Sequence, residues 1–419
     1  MKLTKLTFLL ASTIYHTTCV AQEFDPFAIE SSLNQSSKVS NLTASADYIF
    51  QGTYIPELRL ESENDFYEQV STLDGLVNYD INNNSFLRVR GMMNFVNQET
   101  NNNHESSNKS LALEYFYQGS FGNKHHYVSF GRKHLGWSTG FQWRPADVIA
   151  NGFTTKNFDS LDPSRYTGID QLQYEWIGKH LDVSALISTQ DHDFYNGEQL
   201  AIRLGIKDNL DMSLLFAQTG DYGYKYGVTY SANLPLATTL AVEAVHVDID
   251  KHHLLSANYF GSTLESLSGT DEYQDVYIGL TKFIDDKQRF NLEYFHNGRG
   301  FKEGRLDQTI NASVNKYRNL GFTSWHLDQN LFEREYLGRN YLYGSYTGFL
   351  ETYQLQIKPS LLVNLDDDSY IASLTLKRAI GDNSELLMKA NFYDNQPDTD
   401  LGEISNGIGF NLSYLLHIF

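Results

Sequence analysis

Apolar and polar residues alternate along almost the whole chain, in short runs broken by clusters of Asn, Asp, Gly and Ser. Side chains of an extended backbone point to opposite faces in turn, so each run reads as a strand with one apolar and one polar face. In the first, 41–54, Leu42, Ala44, Ala46, Tyr48 and Phe50 share a face; in the second, 67–81, Val77, Tyr79 and Ile81 do. The third puts Leu87, Val89, Met93 and Phe95 opposite Arg88, Arg90 and Asn94. Beyond a polar stretch at 97–108, a fourth sets Leu111, Leu113, Tyr115 and Tyr117 against Glu114 and Gln118, and a fifth passes through Tyr127 and Phe130. The period is lost over 135–170. It returns at 171–176, 181–188, 200–207, 210–217, 222–232, 239–247, 275–282 and 289–295, lapses to about 338, and resumes at 341–347, 354–365, 370–376, 386–392 and 404–419.

These runs number about 18, and tight turns such as Asn82–Asn84 and Gly122–Lys124 alternate with longer polar connections. An even count with one trimmed and one looped rim predicts an all-β fold: a transmembrane antiparallel up-and-down β-barrel with long extracellular loops. A soluble sandwich or propeller would carry repeats or evenly spaced turns, and the chain has no internal repeat.

The ends divide the chain further. Lys2 and Lys5, an apolar run from Phe8 to Tyr15 and small residues before Gln22 have the form of a secretory leader over 1–21, followed by a short periplasmic segment at 22–40 and the barrel at 41–419. Thr18 stands before Cys19 where a lipid-attachment motif needs Gly or Ala. With the leader removed the chain has no cysteine, which excludes disulfides, thiol catalysis and zinc-thiolate sites. No later stretch has the apolar length of a spanning helix. The 28 Tyr and 26 Phe, at a mean hydropathy of −0.40, suit a barrel with aromatic girdles and a wet interior.

A net charge of −19 excludes nucleic acid as a partner, since no basic excess exists to neutralise phosphates. The inward phase nevertheless holds Arg88, Arg90, Arg203, Lys207, Lys225, Arg289, Lys358, Lys377 and Lys389 against Glu114, Glu175, Asp182, Asp211, Glu243, Asp275 and Glu293. The predicted lumen is therefore mixed and slightly basic, with the acidic surplus in loops. Arg88 and Arg90 are either members of an ion-pair lattice or an anion-attracting constriction. In the long connection after strand five, Trp137, Trp143, Arg144 and Asp147 follow Arg132 and Lys133, an aromatic and charged density that predicts a loop folded inward to narrow the pore.

The closing run alternates apolar Ile404, Ile408, Phe410, Leu412, Tyr414 and Leu416 with Ser405, Gly407, Gly409, Asn411 and Ser413 and stops at Phe419. This resembles the closing strand of Gram-negative outer-membrane β-barrels. The segment Gly131-Arg132-Lys133-His134-Leu135-Gly136-Trp137 with Trp143-Arg144-Pro145-Ala146-Asp147 is similar to elements of outer-membrane porins and of alginate-export-like barrels, with Ser138 and Thr139 interrupting the spacing. The resemblance implies the outer membrane with its lipid and lipopolysaccharide, delivery by the barrel assembly machinery through the strand ending in Phe419, and passage of small hydrophilic solutes, anionic ones among them, without cofactor or catalysis. Alternatives are export of an anionic polysaccharide, and a hydrolase built on His134, Asp147 and Asp159. A metal role for His246, Asp248, Asp250, His252 and His253, or for Asp366–Asp368, has no compelling ligand spacing.

Overall fold

The computed structural model describes residues 42–58, 64–100, 104–122, 125–148, 168–188, 199–207, 211–219, 223–249, 252–258, 261–267, 271–298, 300, 338–394 and 408–418. The expected leader and periplasmic segment, Asp159, Asp250, Ile404, Ser405, Gly407 and Phe419 lie outside them. Twenty strands follow in order: β1 (Leu42–Leu58), β2 (Asn64–Asn82), β3 (Ser85–Thr100), β4 (His104–Phe121), β5 (His126–Lys133), β6 (Ile169–Ile177), β7 (Leu181–Ser188), β8 (Gln199–Lys207), β9 (Asp211–Thr219), β10 (Gly223–Leu234), β11 (Thr238–Ile249), β12 (His252–Asn258), β13 (Gly261–Leu267), β14 (Asp271–Phe283), β15 (Arg289–His296), β16 (Asn340–Leu350), β17 (Leu355–Asn364), β18 (Tyr370–Ala379), β19 (Ser384–Tyr393) and β20 (Ile408–His417).

Eighteen of them form one antiparallel sheet in which each pairs with its neighbours in sequence. β1 also pairs with β20, from Asp47 opposite His417 to Tyr54 opposite Phe410, and so closes the ring. β12 and β13 pair only with each other, a hairpin the alternation does not predict. The 18 wall strands are the 18 expected runs. Strands about 4.8 Å apart and tilted about 40° enclose a cylinder roughly 35 Å across, too wide for wall side chains to fill.

The outer face is apolar: Leu87, Val89, Met93, Phe95, Phe130, Leu172, Leu204, Leu214, Ile278, Leu292, Met388 and Phe410 are exposed on it. That surface in water would be very costly, and in a bilayer it is the solvent-matched face. The wall therefore has the face of a membrane-spanning barrel. The start of β1, the end of β20 and the short described turns meet at one rim, and β5, β11 and β15 end at the other. We call these the turn rim and the loop rim.

Two expectations change. Residues 97–108 are mostly not loop, because β3 runs to Thr100 and β4 starts at His104. Side chains that are polar on both faces leave the backbone ladder intact, so β1–β4 continue past the apolar band. The second change is at Leu111 and Leu113. The β3–β4 register jumps from Arg90 opposite Glu114 to Gly91 opposite Ala112, leaving Leu113 as the extra residue of a β-bulge. One extra residue flips every side chain beyond it. Leu113 is fully buried, and Leu111 stands opposite the inward Met92 rather than facing lipid.

Candidate lumenal constriction

The chain leaving β5 turns into the barrel. Residues 134–148 cross the lumen and dock on strands up to ten places round the ring, with carboxylate anchors six and eight places away. The anchor is Glu243, an inward residue of β11, shut off from solvent. Its carboxylate accepts from Ser138 Oγ at 2.6 and 2.7 Å, Thr139 Oγ1 at 2.8 Å, Gly140 N at 2.9 Å and Ala146 N at 3.1 Å, and also from Thr139 N. A loop taken out of water must find partners for its backbone N–H groups, and one wall carboxylate supplies several at once. Next to it, Glu293 of β15 accepts Gln142 N at 2.9 Å. At the ends of the loop, His134 N donates to Glu114 at 3.1 Å, and Lys225 Nζ donates to the Val148 carbonyl at 2.8 Å.

The loop also braces itself. Asp147 Oδ1 accepts Trp137 N at 2.6 Å and Ser138 N at 2.8 Å, while its other oxygen lies 3.0 Å from Arg144 Nε. Arg144 Nη2 donates to the Ser138 carbonyl at 3.0 Å. Gly140 permits the fold of this turn, since a Cβ there would stand 1.8 Å from the Trp143 carbonyl oxygen.

Apolar packing completes the docking on both sides of Glu243. Leu135, Trp137, Ala146 and Val148 pack with inward Ile169, Leu186, Ala201, Leu215, Ala217, Val245, Val247 and Tyr273. Trp143 packs with Ala241, Tyr277, Phe295, Tyr341, Tyr343 and Leu362, stacked on Phe295 at 5.3 Å and edge-on to Tyr343 at 6.3 Å. Part of the lumen is thus a dry core, and the expected inward-folded loop is present over 134–148. Its continuation, 149–167, lies outside the described residues.

The remaining expected lining residues separate into three groups. Arg90 is bound by Asp74 through Nε and Nη2, and Arg88 donates to Asn78 at 2.8 Å and lies 3.9 Å from Glu114, so this pair belongs to an ion-pair lattice. Arg203 and Lys207 face inward and share Asp182 at 3.5 Å each. Lys133 faces inward, donating to Gln118 and Gln173. Arg132 does not line the pore. It stands opposite Tyr115 and Asp170 on the outer face, 2.6 Å from the Asp170 carboxylate and over the Tyr115 ring.

The third group borders the loop tip. Arg289 lies 5.2 Å and Lys358 4.8 Å from the centre of the Phe141 ring. These cations continue along one row of register partners across the wall. Arg289 stands opposite Thr347. The pairs Ser345–Ser360 and Gly348–Ile357 bracket Thr347 beside Lys358. Lys358 stands opposite Thr375, Thr375 opposite Lys389, Lys389 opposite Asn411 and Asn411 opposite Thr53. Because tilted strands carry each row obliquely round the cylinder, this one climbs from the turn rim at β15 to the loop end of β1.

Asp366 caps the backbone N–H groups of Arg339 and Asn340 and the Asn340 amide, and Asp367 caps Ser369, so these carboxylates hold a turn. Among the described residues no group of His, Cys, Asp and Glu is placed to hold a metal ion. The side chains of His252 and His253 lie outside the description.

No family model and no curated protein matches the chain in sequence. Solved structures do match in shape. OccAB1 of Acinetobacter baumannii superposes with a TM-score of 0.56 at 12% identity, over 91% of this chain and 98% of that one. OccK5 (OpdH) of Pseudomonas aeruginosa gives 0.52 at 10% identity, over 91% and 100%. The chain has the outer-membrane porin fold. Within that fold the sequence reading missed the lumenal side of the dry core, and a signal for it existed. Leu214-Leu215-Phe216-Ala217 and Ala244-Val245 are apolar on the inward as well as the outward phase, the mark of a strand covered on both faces.

Proposed function

We propose that this protein is an outer-membrane channel for passive diffusion of small hydrophilic solutes, with a preference for anions. The observation that carries the reading is the climbing row Arg289, Lys358 and Lys389, spaced by Thr347, Thr375 and Asn411, which meets its first carboxylate at Glu68, beyond Thr53. Several inward carboxylates elsewhere are engaged: Glu243 and Glu293 by the loop, Asp74 by Arg90, Asp182 by Arg203 and Lys207, and Asp47 by His417 at 2.8 Å. Three cations in one row with several carboxylates engaged elsewhere support a lumenal field weighted toward anions, although the whole chain is acidic. An export conduit for a bulky polysaccharide is disfavoured by the docked loop, which spans the lumen.

Purified protein in planar bilayers should give steady open steps, and the reversal potential in a salt gradient should have the sign of anion preference. Cation preference that is unchanged when Arg289 and Lys389 become alanine would remove the anion reading. We further read 1–21 as the export leader and the β20 end, through Phe419, as the signal read by the assembly machinery; deleting Phe419 should lower outer-membrane yield.

A further inference from the structure

The turn rim is not uniform round its circumference. Between β2 and β7 the described turn residues Asn83, Asn84, His125, Lys179 and His180 are polar, and Phe121 (53% exposed), which ends β4 beside its turn, is stacked on the His126 ring at 5.1 Å. From β10 to β19, four consecutive turns each end on an exposed apolar side chain. These are Leu236 (81% exposed), Ile284 (56%), Tyr353 (64%) and Ile380 (47%).

The apolar half is built rather than frayed. Phe283 N bonds the Ala237 carbonyl at 2.9 Å, tying the first turn to the second. Lys287 pairs with Glu351, tying the second to the third. Leu236 is held at φ 62° and Ala237 at 52°, where a side chain is disfavoured and Asn or Gly would be at ease. The hairpin thus carries strain while directing Leu236 outward.

These tips run on from the lipid-facing band through Leu234, Phe349 and Leu350, all exposed. One apolar residue per turn, set along a convex edge and bordered by Asp285, Asp286, Lys287, Glu351 and Asp382, makes no concave seat for a protein chain. It matches the boundary between acyl chains and headgroups, where single apolar groups insert and charges remain in water.

We propose that this lip inserts into the lipid leaflet on the turn side, so that the barrel leans and its β10–β19 side sits deeper there than its β2–β7 side. The inference rests on the wall spanning the membrane, and the test separates the two. Single cysteines replace Leu236, Ile284, Tyr353, Asn84 and Lys179, and Leu204 in the mid-wall band, each labelled with an environment-sensitive fluorophore in nanodiscs. Lipids brominated along the acyl chain and aqueous iodide serve as quenchers. At 236, 284 and 353 the lipid quencher should act more strongly than at 84 and 179 by about twofold or more, with iodide showing the reverse order. Equal quenching at all five turn sites, or iodide dominating at 236, 284 and 353, would overturn the lean. Shielding of the three from both quenchers would overturn it in favour of a protein cover, such as a second copy. A label at 204 beyond reach of the lipid quencher would instead remove the spanning wall itself.

Discussion

At the scale of single residues, Glu243 carries more of the site than any other side chain. It is wrapped by the hydroxyls of Ser138 and Thr139 and the backbone N–H groups of Thr139, Gly140 and Ala146. Glu243→Ala strands those donors in a dry core at about 1–3 kcal/mol for each that stays unpaired, so the loop should leave the wall. Single-channel conductance is expected to rise, with larger current noise; an unchanged step size would show that the loop is held by its apolar contacts alone. At the turn rim, Ala237→Gly relieves a left-handed residue and should stabilise the fold by about 1 kcal/mol, read from the temperature at which the barrel loses its compact gel mobility. The inward phase of Glu243 was legible from the alternation of β11, because lipid and lumen impose a period of two. Its role was not legible. The groups it binds lie about a hundred residues upstream and are mostly backbone, which leaves no side-chain pattern to read.

At the scale of elements, β4 and the loop show where periodicity stops being a guide. The bulge at Leu113 breaks the phase of β4, and nothing in Ser110-Leu111-Ala112-Leu113 announces it, since each of these residues is acceptable on either face. Its partner element β5 contains Gly131 at φ 110°, where a Cβ would lie 2.2 Å from the Tyr115 carbonyl oxygen. Gly131→Ala should therefore separate β4 from β5 just where the lumenal loop begins. Reduced folded yield is the expected outcome, measured by heat-modifiable mobility, and normal yield would mean that the two strands can part without loss. Deleting Gly140 to Asp147 removes the docked tip together with Trp143 and should raise conductance. A fall would mean that the wall collapses into the vacated space.

For the whole molecule, the proposed anion preference should depend on the climbing row more than on the Arg88–Arg90 pair that the sequence brings forward. Arg90 is neutralised in place by Asp74. Replacing Arg289 and Lys389 together with alanine should shift the reversal potential toward cations more than replacing Arg88 and Arg90. In molar salt, where screening acts over about 3 Å, the difference between the two double variants should shrink. Phase alone assigns these residues to one face of their strands. Which of them share one row depends on the register between strands far apart in the chain, and register is a property of the closed ring.

The dry core under the loop also divides the resistance of the molecule to heat. Wall strands are held by a continuous backbone ladder in lipid, whereas the crossbar is held by one carboxylate hub and by packing that water can enter from the loop rim. Melting should accordingly proceed in two stages: Trp137 and Trp143 become hydrated first, and the ring opens later. Between those stages the protein would be an intact but wider cylinder, so that warming turns a narrow sieve into a leaky one before destroying it.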